Sequence, residues 1–146
     1  MLNKVLDEKN LLDHLQVGIY RSHPGLKAKL IYLNPFLQKM LGLSVKETAN
    51  LAVEHIFIPP STFHLLYKKL SHEGCIKNFE VRLKAKNKKN LWCSFDATAV
   101  KDPEGKILYI DGVLQDISWR KQFEQDLIES KELFQTIFHN TAAAII

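Results

Sequence analysis

The histidines, cysteines and carboxylates are the side chains of this chain that could ligate a metal or catalyse a reaction. Cys75 and Cys93 lie in strand-like segments, without the Cys-x-x-Cys or Cys/His spacing of a zinc site. The sequence contains no glycine-rich phosphate loop and no nucleophile elbow. Glu80 and Asp96 are predicted on the outward face of two strands, where carboxylates are normally solvated. The residues therefore give no support for an enzyme.

The charge and hydropathy of the chain limit its partners. Its 20 basic and 16 acidic side chains give a net charge of +4, too small to require nucleic acid or a membrane surface. The basic loop Lys84, Lys86, Lys88 and Lys89 lacks arginine and stacking aromatics, which favours a solvated hairpin tip. No apolar run approaches the roughly 18 residues of a membrane span. We expect a cytoplasmic protein with reduced cysteines, without nucleic acid and without membrane insertion of this segment.

Helix and turn signals dominate the first half of the chain. Residues 1–16 space their leucines as an amphipathic leading helix does, and two strand-like segments, "GIYRSH" and "AKLIYL", flank a Pro-Gly turn. Asn34 and Gly42 mark the start and the end of a short helix. Ser44 and Glu47 form a capping box for the next one.

A longer helix is predicted after two prolines, with Ser61 as its cap and Gly74 as its end. One face of that helix carries Phe63, Leu66, Tyr67 and Leu70. From Cys75 onward the apolar residues recur with a period of two, which predicts strands. The stretch "DPEG" matches a type I turn, so the final strand, from Ile107 to about Ile117, runs back antiparallel.

Two segments carry a resemblance to a known family. The stretch "LIYLNPFLQKMLGLS" resembles the second strand and first helix of PAS domains, and residues 78–121, which end in "DISWRK", resemble their C-terminal half. The likeness covers about residues 8 to 121. The chain thus resembles a PAS domain of the sensory box (PAS/PAC, S-box) type from a bacterial signalling protein. The resemblance implies an α+β fold: a five-stranded antiparallel sheet with short helices packed on one face, plus N-terminal and C-terminal flanking helices.

The same resemblance divides the chain into four parts. They are an N-terminal amphipathic helix at 1–16, the PAS domain with its PAC motif at 17–118, a linker or signalling helix at 119–139, and the start of a second PAS unit at 140–146. The second unit is inferred because the tail "KELFQTIFHNTAAAII" partly repeats the apolar spacing at the start of the chain. The resemblance implies a sensor histidine kinase or a GGDEF-type diguanylate cyclase as the parent protein.

The resemblance implies that the domain senses a stimulus and relays it through the junction Asp116, Ile117 and Ser118 to the following helix. Asp116 and Ser118 suit the free N–H groups and the positive dipole at a helix start. Trp119 stands where the family normally has an acidic residue, so this junction must be held in another way. The alternative function is a ligand-free dimerisation or protein-interaction module.

The apolar residues after the junction predict a helix with a surface for pairing with a second helix. Phe123, Leu127, Phe134 and Ile137 follow a 4-7-3 spacing, with Ser130 in the heptad gap, which suits a parallel helix pair. A homodimer through the flanking helices or the outer face of the sheet is therefore expected. A single amphipathic helix folded on its own sheet is the alternative.

Three ligand states follow from the family. Flavin-binding relatives carry Asn-Cys-Arg-Phe-Leu-Gln on a helix, which is absent here, so we expect no FMN. Haem-binding relatives take an axial histidine from the helical middle, where His64 or His55 could serve, although an ordinary surface histidine is the simpler interpretation. The third state is a small apolar ligand, or none, in a core lined by Phe63, Leu66, Tyr67, Val81, Leu83, Cys93, Phe95, Leu108, Ile110 and Leu114.

Overall fold

The computed structural model describes residues 16–86 and 90–145, with side chains described as far as residue 141 in the last helix. Nearly all of the leading helix predicted at 1–16, and the loop residues Lys88 and Lys89, lie outside the described residues. The chain forms two units that divide between Asp116 and Ile117.

The first unit alternates short strands and helices before a three-strand meander. Its elements are β1 (Gly18–Ser22), β2 (Leu30–Leu33), α1 (Pro35–Leu41), α2 (Val45–Ala49), a 3-10 helix (Val53–Ile56), β3 (Phe57–Ile58), α3 (Pro60–Glu73), β4 (Cys75–Lys84), β5 (Asn90–Lys101) and β6 (Ile107–Asp116). The second unit is one helix, α4 (Ser118–Ile145).

The strands form one antiparallel sheet in the order β2-β1-β6-β5-β4-β3. The α+β class and the order of elements are as predicted, but the sheet has six strands where the sequence predicted five. The extra strand is β3, whose residues Phe57 and Ile58 pair with Leu83 and Arg82. Two residues are too few to show the period-two alternation by which a strand is recognised.

The helix ends follow local side-chain chemistry. The Asn34 side chain accepts a hydrogen bond from the Leu37 N–H, and Gly42 ends α1 with a φ of 70°, as predicted. Ser44 and Glu47 form the predicted capping box. The prediction of Ser61 as a cap is wrong, because Pro60 already occupies the first position of α3, where its fixed φ is favourable.

The inward face of the sheet and the helices of the first unit form one apolar core. Of the ten residues predicted along it, eight are buried: Phe63, Leu66, Val81, Leu83, Cys93, Phe95, Ile110 and Leu114. Tyr67 is partly buried and packs against this core.

Leu108 is the exception, because its side chain is 48% exposed and does not line the core. Val100 pairs with Tyr109 and Lys101 pairs with Ile107, so Leu108 is the extra residue of a β-bulge. The bulge reverses the alternation, and Ile107 packs against the core in its place. The assignment of Leu108 to the core is therefore wrong. It assumed that inward and outward residues alternate without interruption along β6, whereas the bulge interrupts the alternation at Leu108.

The second unit is a helix of 28 residues with exposed apolar side chains. Phe123, Leu127, Phe134 and Ile137 are between 55% and 68% exposed. The rings of Phe134 and Phe138 stack with centroids 6.4 Å apart. Residues 140–145 continue the helix. No helix in the described part of the chain is long and apolar enough to cross a membrane.

Candidate functional site

The contact between Tyr20 of β1 and Gly112 of β6 lies at the centre of the core. The two residues face each other across the strand pair, and Tyr20 is only 1% exposed. A Cβ atom added at Gly112 would lie 2.3 Å from Cε1 of the Tyr20 ring. The Tyr20 ring therefore occupies the space beside Gly112 that a side chain would otherwise fill.

Tyr20 belongs to a set of aromatic rings that links the sheet to the helices. Its ring lies nearly parallel to that of Phe95, with centroids 6.3 Å apart. Phe57 contacts Phe95 edge-on and Phe63 in a stacked arrangement, each at 5.4 Å between centroids. Tyr67 extends the set from Phe63, at 6.1 Å. These contacts join β1, β3, β5 and α3.

The hydroxyl group of Tyr20 is a buried polar atom without a hydrogen-bond partner among the described residues. Burial and the charge of Asp111 raise the pKa of this phenol well above its usual value, so it stays neutral. Tyr20 was not among the residues predicted to line the core. Its inward position on β1 could have indicated that the ring is buried, but not that the hydroxyl group is unpaired.

We expect Tyr20→Phe to raise the free energy of unfolding by about 1–2 kcal/mol, because a buried unpaired donor costs about 1–3 kcal/mol. Urea denaturation of the purified chain measures this change. Tyr67→Phe is the control, with an expected change within about 0.5 kcal/mol, because Tyr67 is only partly buried. A loss of stability in Tyr20→Phe would show that the hydroxyl has a partner.

The outer face of the sheet holds β1 and β6 together beside the Tyr20 contact. Arg21 donates two hydrogen bonds to Asp111, from Nε at 2.7 Å and from Nη2 at 3.0 Å. The same guanidinium lies 3.9 Å from the centre of the Tyr109 ring. This bond to Asp111 is the main reason that the pKa of Arg21 is raised. Both faces of the β1–β6 pair therefore carry a specific contact.

Asn34 connects the start of β1 to α1 and is completely buried. Its Oδ1 accepts hydrogen bonds from the backbone N–H groups of Ile19 and Leu37, both at 3.0 Å. Its Nδ2 donates to the carbonyl oxygen of Val17 at 2.8 Å. The sequence predicted the helix cap but not the bonds to Val17 and Ile19, since these join residues far apart in the chain.

The relay residues stand where β6 ends and α4 begins. Gln115 and Asp116 are the last paired residues of β6, opposite Ser94 and Cys93. Burial, and then the charge of Asp116, raise the pKa of the Cys93 thiol to about 12, so it stays protonated. Ile117 is the single residue between β6 and α4, and its carbonyl oxygen accepts the helical bond from the Lys121 N–H at 3.0 Å.

The two candidate haem ligands lie at the surface beside a shared carboxylate. His64 Nε2 is 2.7 Å from Glu54 Oε2, and His55 Nε2 is 3.8 Å from Glu54 Oε1. The bond from His64 lowers the pKa of Glu54, which is therefore ionised at neutral pH. Within the described ranges, no group of three His, Cys, Asp or Glu residues could hold a metal ion.

Comparisons with known proteins identify relatives of this architecture. A family model described as "PAS domain" matches residues 25–118. The PAS domain of a protein from Colwellia psychrerythraea is similar, with a TM-score of 0.66 and 16% identity over 79% of this chain and 98% of that one. No curated protein matches the chain.

Two further solved structures come from signalling proteins. A domain of the sensory box sensor histidine kinase/response regulator from Geobacter sulfurreducens gives a TM-score of 0.62 at 16% identity, over 77% of this chain and 94% of that one. The sensory box histidine kinase/response regulator from Burkholderia thailandensis E264 gives 0.65 at 19% identity, over 88% and 98%. These likenesses establish the shared fold.

Proposed function

The chain belongs to the PAS domain family, and we propose that it is the sensory or regulatory module of a signal-transduction protein. In this proposal, a change inside the core moves β6 and reaches α4 through Asp116, Ile117 and Ser118. A histidine kinase is the output domain best supported, because two similar structures come from such proteins. A diguanylate cyclase is the second candidate.

The observation that carries this proposal is the position of β6. This strand lies between β1 and β5, and the Tyr20 ring packs against its Gly112. Only Ile117 separates the last residue of β6 from the first residue of α4. A displacement of the ring would thus act on a strand that is covalently continuous with the helix. A flexible tether between the two elements would not suit this role.

We expect Asp116→Ala to change the output of a histidine kinase whose own sensor domain is replaced by residues 1–146. Asp116 ends β6, and its side chain suits the N–H groups at the start of a helix. Autophosphorylation of the purified chimera measures the output. Asp102→Ala, in the turn between β5 and β6, is the control and should leave the output at the wild-type level. Equal output from all three proteins would remove the proposed role of Asp116.

We propose a core without a bound cofactor as the resting state. The ring of Tyr20 over Gly112 and its contact with Phe95 support a core filled by side chains. A small apolar ligand that displaces the Tyr20 ring is the second candidate. The absence of a helical cysteine argues against flavin, and the bond between His64 and Glu54 argues against haem. An absorbance spectrum of the purified protein tests both cofactors.

We also propose that the chain forms a homodimer through α4, in the cytoplasm. The exposed residues Phe123, Leu127, Phe134 and Ile137 support this, because a lone helix with such a seam leaves it in water. The outer face of the sheet is the second candidate surface. A second PAS unit that begins near residue 140 stays a proposal. It rests only on the partial repeat, in the tail, of the apolar spacing at the start of the chain.

We expect Phe134→Glu to convert the dimer to a monomer, because two like charges would meet in the centre of the helix pair. Sedimentation equilibrium over a range of concentrations measures the change. Glu132→Lys is the matched control, since Glu132 lies on the opposite side of the heptad. Dimers that persist in Phe134→Glu would place the interface elsewhere, with the outer face of the sheet as the next candidate.

A further inference from the structure

Two adjoining hollows lie beside β3, at the edge of the sheet. The larger has a volume of about 520 Å³ and is lined by His55, Phe57, Ile58, Pro60, Lys84 and Asn90. The smaller has a volume of about 220 Å³, shares His55 and Lys84, and includes Leu43 and Leu51 in its lining. Small-molecule sites typically span about 300–1,000 Å³ with a mostly apolar lining and a few polar groups. The edge therefore offers space for a ligand of its own.

Among the described residues around these hollows, the charge of Lys84 is uncompensated. Glu47 lies 2.7 Å from Lys86, and Glu54 lies 2.7 Å from His64, so both nearby carboxylates already have basic partners. Among the described residues, Lys84 Nζ has no carboxylate within 4.0 Å. Lys84 thus places a free positive charge beside apolar side chains.

We propose that this edge binds a long-chain carboxylate, with its head group at Lys84 and His55 and its chain in the larger hollow along Phe57 and Ile58. An ammonium group next to an apolar lining complements an anionic head with an apolar tail. The described residues that line either hollow include no arginine, the side chain that favours bidentate phosphate binding. The two-residue β3 offers too little backbone for an extended peptide to add as a strand. The larger hollow shares Phe57 with the aromatic set, but the proposal does not depend on the relay through β6.

Fluorescence of cis-parinaric acid titrated with the purified chain tests the proposal. We expect saturable binding that palmitate displaces and that hexadecanol, with the same chain length but no charge, displaces far less well. Lys84→Glu should weaken binding about tenfold, because charge reversal replaces an attraction by a repulsion. Lys101→Glu is the matched control, on an exposed lysine at the other end of β5, and should change the affinity less than about twofold.

A second variant separates loss of binding from loss of fold. Lys84→Gln removes the charge with the least change of shape and should weaken binding in the same direction, with an unchanged circular dichroism spectrum. Equal affinities for Lys84→Glu and the wild type would overturn the proposal, since the probe would then bind elsewhere, such as in the core. Absence of binding, displacement by hexadecanol as effective as by palmitate, or displacement only by an extended apolar peptide would overturn it as well.

Discussion

Gly112→Ala is expected to lower the free energy of unfolding by about 3 kcal/mol. The new methyl group would lie 2.3 Å from Cε1 and 2.5 Å from Cζ of Tyr20, far inside van der Waals contact. The ring has little room to withdraw, because it is buried and stacks on Phe95. Both strands that carry the contact are central in the sheet, so the backbone cannot shift at low cost. Urea denaturation measures the loss.

A double-mutant cycle with Tyr20→Leu identifies the cause of this loss. Leucine lacks the ring atoms that approach Gly112, so Gly112→Ala should cost less than about 1 kcal/mol in that background. If Gly112→Ala costs as much with leucine at position 20 as with tyrosine, the ring is not responsible, and the glycine would be required for another reason.

Asn34→Ala is expected to cost about 3 kcal/mol or more, the second large effect. The substitution leaves the N–H groups of Ile19 and Leu37 and the carbonyl of Val17 without their partner. Water cannot readily replace these bonds at a side chain that is completely buried. The loss should appear in the free energy of unfolding. In hydrogen exchange, the amides of Ile19 and Leu37 should lose protection.

Ser44→Ala is the matched control for Asn34→Ala, because Ser44 also caps a helix but does so at an exposed position. Removal of an exposed cap costs about 1 kcal/mol. Similar losses for the two variants would show that Asn34 acts only as a cap, and that its bonds to β1 contribute nothing.

Interactions between near neighbours in the chain could be predicted from the sequence. The cap at Asn34, the capping box at Ser44 and Glu47, and the turn at Asp102 each involve residues that are two to four positions apart. Such signals depend on side-chain chemistry and local backbone angles alone. The alternation along β5 and at the end of β4 was equally readable, because these segments expose one face and bury the other. Earlier in β4 the register shifts between Ile76 and Phe79, and Phe79 is exposed.

Features that depend on two distant segments could not be predicted in this way. The bulge that turns Leu108 outward is a property of the β5–β6 pair, and alternation within one strand gives no sign of it. The contact of Tyr20 with Gly112 depends on the register of strands that are more than ninety positions apart. The bonds from Asn34 to Val17 and Ile19 likewise became visible only when β1 and α1 were placed together.

The central claim is that a change in the core reaches α4 through β6 and the junction. Tyr20→Phe perturbs the core with one atom and without an expected loss of stability, so amide chemical shifts of the intact chain provide a direct measurement. We predict shift changes along β6 and in residues 118–125. Insertion of two glycines between Ile117 and Ser118 should abolish the changes in the helix while it leaves those in β6. The claim is contradicted if the amides of 118–125 do not respond to Tyr20→Phe, or if they respond equally with the glycines inserted.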